Sequence, residues 1–175
     1  MGVIKINNND TQRITKMSHS LVSSFHTRDP FVICDNLGIL VRFKDIGNVK
    51  GIYTFYKRNR FVIVNSLLCD DEKKIVCAHE LGHDMLHRSL IKNAHIYDKH
   101  LNDFSLRPEF EANAFAAELL IDDRFVIENA KVFTTISSLA GEIGVSESLL
   151  KLKCAIMKNR GINLYCAVDF DFNNF

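Results

Sequence analysis

His79-Glu80-Leu81-Gly82-His83 is a complete H-E-x-x-H, set inside a stretch that reads as a helix from about 71 to 89. At 3.6 residues per turn the two histidines lie on one face, a turn apart, so both imidazoles can reach a single metal ion. Glu80 lies next to that face, where a carboxylate can act as a base without being a ligand. Asp70-Asp71-Glu72 supplies an N-cap candidate and first-turn acids, and Ile75, Val76, Ala78, Leu81, Met85 and Leu86 recur at helical spacing. Gly82 costs the helix about 1 kcal/mol against alanine, which predicts a neighbour packed close to the backbone between the histidines. His87, a turn beyond His83, drifts about 80° from His79 and suits a supporting or rim position better than ligation. Cys77 projects about 200° from His79 and reads as a small buried hydrophobe.

A zinc site of this type takes three protein ligands and keeps a fourth position open. The metzincin extension requires Gly at 86 and His at 89, where this chain has Leu86 and Ser89. The remaining source is an acid on a following helix, read over 107–121 with Pro108 near its start. That helix holds Glu109, Glu111 and Glu118. Glu111 and Glu118 share a face, and Glu109 points the opposite way. Spacing does not choose between the faces, because Ala112, Ala116 and Leu120 make the Glu109 side apolar too. Glu118, beside Ala117, Leu119 and Leu120, fits a buried structural acid as well as a site role.

Val76-Cys-Ala-His-Glu-Leu-Gly-His83, followed by Glu111-Ala-Asn-Ala-Phe-Ala-Ala-Glu-Leu-Leu120, resembles the ImmA/IrrE family of metallopeptidases. Asp29-Pro-Phe-Val-Ile33, Gly51-Ile-Tyr53 and Ile63-Val-Asn65 add to the resemblance, which covers roughly residues 28–155. It implies Zn2+ held by His79, His83 and Glu111, with Glu80 as general base. It also implies a partner: a cognate helix-turn-helix repressor, whose cleavage switches on phage or mobile-element genes. Two other readings compete, a general zinc peptidase on small peptides and a non-catalytic DNA- or protein-binding regulator with a structural zinc. An intact Glu80 argues against the last, since a structural zinc site has no use for a base beside its ligands.

The expected architecture is α+β. A mainly helical zincin-like domain over 1–130, with an N-terminal helix and a small three-stranded antiparallel sheet, precedes a helix-turn-helix-like pair and tail over 131–175. Residues 10–26 carry an apolar stripe of Ile14, Met17, Leu21, Val22 and Phe25, and Asp29-Pro30 caps a short helix that ends at Gly38. Strand-like runs follow at 39–43, 51–57 and 61–65, with Lys57-Arg58-Asn59-Arg60 as the hairpin turn. Phe61–Asn65 is the candidate edge strand for pairing with an extended substrate, an ordinary core strand being the other reading.

In 136–155, Ala140, Gly144, Val145, Ser146 and Leu150 match helix-turn-helix spacing, with Gly144 at the turn and Ser146 as N-cap. The second helix opens with Glu147, which would face phosphate unfavourably, so DNA binding is not expected. A structural pair or a dock for the substrate protein, with Lys151 and Lys153 as its charges, are the alternatives. Loop residues His95, Tyr97 and His100 are candidate proton donors to a transition-state oxyanion, and the tail from Asn163 reads as a last strand or a loose end.

Composition fits this setting: 47% hydrophobic and 25% charged residues are ordinary for a globular chain, and a net charge of +1 gives no electrostatic case for nucleic acid or membrane. Five scattered cysteines (34, 69, 77, 154 and 166) without C-x-x-C argue against a disulfide framework or zinc ribbon. No apolar run reaches membrane-spanning length and no signal-peptide core is present, so a cytoplasmic location is expected; the sequence leaves the oligomeric state open.

Overall fold

The computed structural model describes residues 8–93, 106–133 and 135–162. His95, Tyr97, His100 and the tail from Asn163 lie outside the described residues. The elements run α1 (Asn8–Phe25), α2 (Pro30–Asn36), β1 (Ile39–Lys44), β2 (Gly51–Tyr56), β3 (Asn59–Asn65), α3 (Asp70–Asn93), α4 (Leu106–Leu120), α5 (Asp123–Asn129), α6 (Ile136–Ile143) and α7 (Glu147–Asn159). The fold is therefore a mainly helical α+β arrangement. No helix among the described residues is long and apolar enough to cross a membrane.

Local chemistry accounts for most boundaries. Asp29 caps α2 through its carboxylate, which accepts from the Phe31 and Val32 backbone amides, and Pro30 fills the first helical position. Gly38, at φ 68°, then takes the left-handed conformation just past the helix end. The β2–β3 hairpin closes through Lys57 and Arg58 at φ 46° and 65°, with Tyr56 opposite Asn59. Two central residues with positive φ make the turn whose twist matches the strands it joins. Gly144 (φ 76°) ends α6 and the Ser146 hydroxyl accepts from the Leu149 amide to start α7, as the sequence predicts.

The strand order is β1-β3-β2. β2 pairs antiparallel with β3, but β1 pairs parallel with it, Val41 opposite Val62, so the sheet is mixed and not strictly antiparallel. The reason is topological: the tight hairpin commits one edge of β3 to β2, and β1 takes the other edge in the same direction as β3. β3 is thus the central strand. Phe61–Asn65 is therefore not an edge but the ordinary core strand of the alternative reading, and the edge strand beside α3 is β2.

The core lies between the sheet and α3, α4 and α7. α4 is its axis: Ala112, Ala114, Phe115, Ala116, Ala117, Glu118 and Leu119 are all buried. Gly82 meets this helix closely. A Cβ there would lie 3.1 Å from Ala112 Cα and 3.2 Å from its carbonyl oxygen, so the glycine lets α3 and α4 approach at the level of the two histidines. Cys77 is fully buried as expected, its Sγ 3.9 Å from that of Cys34 on α2, and both thiols are free.

α7 is held on α4 by a buried ionic cluster. Lys153, fully buried, sits 2.9 Å from Glu118 and 2.6 Å from Asp123, and Arg160 reaches both acids. Burial pushes the Glu118 carboxyl up, but His19, Lys153 and Arg160 outweigh it and leave the group below its ordinary value. Glu118 is therefore a structural acid. His19, Glu118 and Asp123 also bring possible ligand atoms together, yet the Lys153 ammonium already occupies the space between the two carboxylates. Lys153, being buried, offers nothing to a docking protein; Lys151 is the more exposed of the pair and bridges to Glu147 at 3.8 Å.

Candidate metal centre

The site is built where the third and fourth turns of α3 cross the first turns of α4. His79 and His83 project from one face of α3 as the motif requires, their Nε2 atoms 3.1 Å apart. Glu109, in the first turn of α4, places Oε2 at 3.3 Å from His79 Nε2 and Oε1 at 3.4 Å from His83 Nε2. Ligand atoms of a tetrahedral zinc, with bonds of about 2.0–2.2 Å, stand about 3.3–3.5 Å from one another. The histidine separation is a little shorter than that, and the two carboxylate distances, one from each Glu109 oxygen, fall within it. Two neutral imidazoles and a carboxylate are also the donor chemistry such an ion takes.

Both rings are set for it. Asn113 Oδ1 lies 2.9 Å from His79 Nδ1, and an amide oxygen can only accept, so the ring proton sits on Nδ1 and Nε2 keeps its lone pair. His83 is pulled down to a pKa of about 3 by burial first and by the neighbouring His79 and His87, which keeps it neutral. A neutral imidazole is the form that ligates. The side chains of His83, His79 and Glu109 are 8%, 19% and 52% exposed, so the site deepens toward α3 and opens to solvent on the Glu109 side.

Glu80 stands beside the triad without joining it. It is buried, and its carboxyl is pushed up to about 7, by loss of water first and by the Glu109 charge second, against a backbone hydrogen bond from Tyr53. A dication between the histidines would pull that value back toward the ionised form. β2 delivers the Tyr53 amide, and it can come this close because residue 51 is glycine. A Cβ on Gly51 would fall 2.8 Å from Glu80 Oε1 and 2.4 Å from Val76 Cγ1. The arrangement places a buried carboxylate next to three side chains that could hold a metal ion, along an edge strand.

Glu111, the acid that the resemblance implies as third ligand, is not brought to the triad. Its oxygens face Arg107 Nε at 2.9 Å, His87 Nε2 at 3.1 Å and Arg13 Nη2 at 3.5 Å. Burial raises this carboxyl, and the Arg107 and His87 hydrogen bonds more than reverse that, leaving it below its ordinary value. His87 is the supporting residue that its helical drift predicts, with Nδ1 3.2 Å from His83 Nδ1. Sequence reasoning passed over Asn113 and Asp84. The Asn113 signal was present: four residues beyond Glu109, it shares that face of the helix. Asp84, fully enclosed, accepts from Tyr53 Oη at 2.6 Å, Arg60 Nη1 at 2.9 Å and Arg88 Nη2 at 2.7 Å, and so clamps β2 and β3 to the motif helix. Burial, then Asp84, push the Tyr53 phenol well above its ordinary pKa.

Known proteins resemble this chain in sequence. The Peptidase_M78 family, described as an IrrE N-terminal-like domain, matches residues 34–154. "Uncharacterized immunity region protein 2" of Bacillus phage phi105 is 32% identical over 135 residues, 76% of this chain and 84% of that protein. "Metallopeptidase ImmA" of Bacillus subtilis (strain 168) is 28% identical over 113 residues, 62% of this chain and 63% of that protein. With a match that runs from α2 to α7 and takes in α3, the sheet and the acids of α4, this chain belongs to the Peptidase_M78, IrrE N-terminal-like, family of metallopeptidases.

Proposed function

We propose that the protein is a zinc-dependent, site-specific endopeptidase that cleaves a cognate helix-turn-helix repressor and thereby releases phage or mobile-element genes. The observation that carries the reading is the convergence of His79, His83 and Glu109 around one cation-sized space, with Glu80 buried beside it. Glu109 replaces Glu111 in the ligand set. A zinc ion there supplies a Lewis acid that polarises a peptide carbonyl and acidifies water. Glu80 takes the proton of the attacking water and passes it to the leaving amine. Asn113 keeps His79 in the ligating tautomer, and the Asp84 clamp keeps β2, and with it the Tyr53 amide, against Glu80. An extended segment of substrate pairs along the edge of β2, so that its carbonyl reaches Glu80 and the triad.

The biological part of the proposal is supported by the relatives, one named for a phage immunity region and one as a metallopeptidase. A protein with this task works in the cytoplasm, where its repressor is. The test is incubation of the purified, zinc-loaded protein with a candidate helix-turn-helix repressor of the element that carries its gene. Cleavage at one bond, abolished by a chelator and restored by added zinc, is the expected result. Ready hydrolysis of a broad library of short peptides, with the repressor left intact, would contradict repressor specificity and favour a general peptidase.

A further inference from the structure

Behind the triad, His83 is backed by a second imidazole, where a ligating histidine more often meets a carboxylate or a carbonyl. His87 Nδ1 lies 3.2 Å from His83 Nδ1, and on its other side His87 Nε2 lies 3.1 Å from Glu111 Oε2. The chain is dry: His87 is 4% and Glu111 7% exposed. Glu111 is fixed from outside by Arg107 and Arg13, and Arg107 is itself held by Asp10 at 2.6 Å. Arg13 and Asp10 belong to α1, upstream of the residues that match the family.

Two imidazole nitrogens at hydrogen-bond distance cannot both present a proton or both present a lone pair. A cation on His83 Nε2 leaves the His83 proton on Nδ1, so His87 Nδ1 must accept it. The His87 proton then has to sit on Nε2, where only an acceptor can receive it, and Glu111, an ionised carboxylate between two guanidinium groups, is purely an acceptor. The carboxylate at the far end therefore dictates every tautomer up to the metal.

We propose that His87 and Glu111 are positioning residues, a two-member relay that locks His83 in its ligating tautomer and orientation, with Glu111 anchoring from behind instead of ligating. This rests on the metal reading above. The relay gives the acid following Phe110 a role distinct from that of Glu109, and it makes α1 a support of the metal centre.

The test uses the full chain, with zinc affinity measured by competition with a chromophoric chelator. His87→Leu, which can neither accept nor donate, is expected to weaken zinc binding by about 10–100-fold. His87→Gln retains an acceptor and a donor and is expected to bind close to wild type. Glu111→Leu should weaken binding to a similar extent as His87→Leu, and the double variant no further than either single one, because both break one chain. Imidazole 15N shifts of the zinc-loaded wild type give a readout that needs no variant: the proton is expected on Nδ1 of His83 and on Nε2 of His87. Wild-type zinc affinity in His87→Leu, or a His87 proton on Nδ1, would overturn the relay while leaving the metal reading intact. Complete loss of zinc in Glu111→Leu, with Glu109→Leu unaffected, would also overturn it by making Glu111 a ligand. A wild-type chain that binds no zinc would overturn the metal reading and the relay together.

Discussion

Glu80→Gln is expected to keep both fold and metal while slowing hydrolysis by about 10²–10⁴-fold, the usual contribution of a positioned general base. The substitution is isosteric. The amide oxygen can still accept from the Tyr53 backbone, and the side chain still fits beneath Gly51, so neither β2 nor α3 has cause to move. What is lost is the ability to take a proton. None of the three proposed ligand atoms belongs to Glu80, so zinc content should be unchanged. Cleavage rate and metal content measured on one preparation separate the roles. A variant that cleaves at close to the wild-type rate would show that Glu80 is not the base.

Lys153→Met should destabilise the protein by about 3–5 kcal/mol, the range for removing one partner of a buried ion pair. The methionine fills much of the lysine's volume, but it leaves Glu118 and Asp123 facing each other with, among the described residues, Arg160 and the more exposed His19 to compensate. Urea unfolding measures the change, and unaltered stability would show that this cluster is not what holds α7 to α4. The cluster also predicts acid sensitivity. Glu118 titrates below its unfolded value of about 4.5, so its contribution is full above that pH and is lost as pH falls through the lower folded value. Lys151 remains the charge with which to probe docking on α7, since reversing Lys153 would disrupt the fold before it reported on a surface.

The motif helix was legible because its information is local. Two histidines four apart, an acid between them and a helical apolar pattern specify face and spacing before any tertiary contact is known. The same holds for Gly144, Ser146 and the Lys57-Arg58 turn, each a chemical requirement of one or two residues. The acid that meets the two histidines was not legible in that way. α4 is buried on nearly all sides, against α1, α3 and α7, so its apolar pattern has no phase, and Glu109, Glu111 and Glu118 each sit beside buried neighbours. What selects Glu109 is the crossing of α3 over α4 at Gly82, a long-range contact. The parallel pairing of β1 with β3 escaped for the same reason, since strand order depends on which edge the hairpin leaves free. α5, a single short helix of seven residues capped by Asp122, is too brief for periodicity to reveal and was not anticipated.

The proposed chemistry turns on where the metal sits. Anomalous diffraction at the zinc edge from crystals of the zinc-loaded protein locates the ion without reference to activity. The expected result is a single peak per chain bonded to His79 Nε2, His83 Nε2 and a Glu109 oxygen, with Glu111 still turned toward His87 and Arg107. A peak coordinated by Glu111, or one lying between His19, Glu118 and Asp123, would contradict the account.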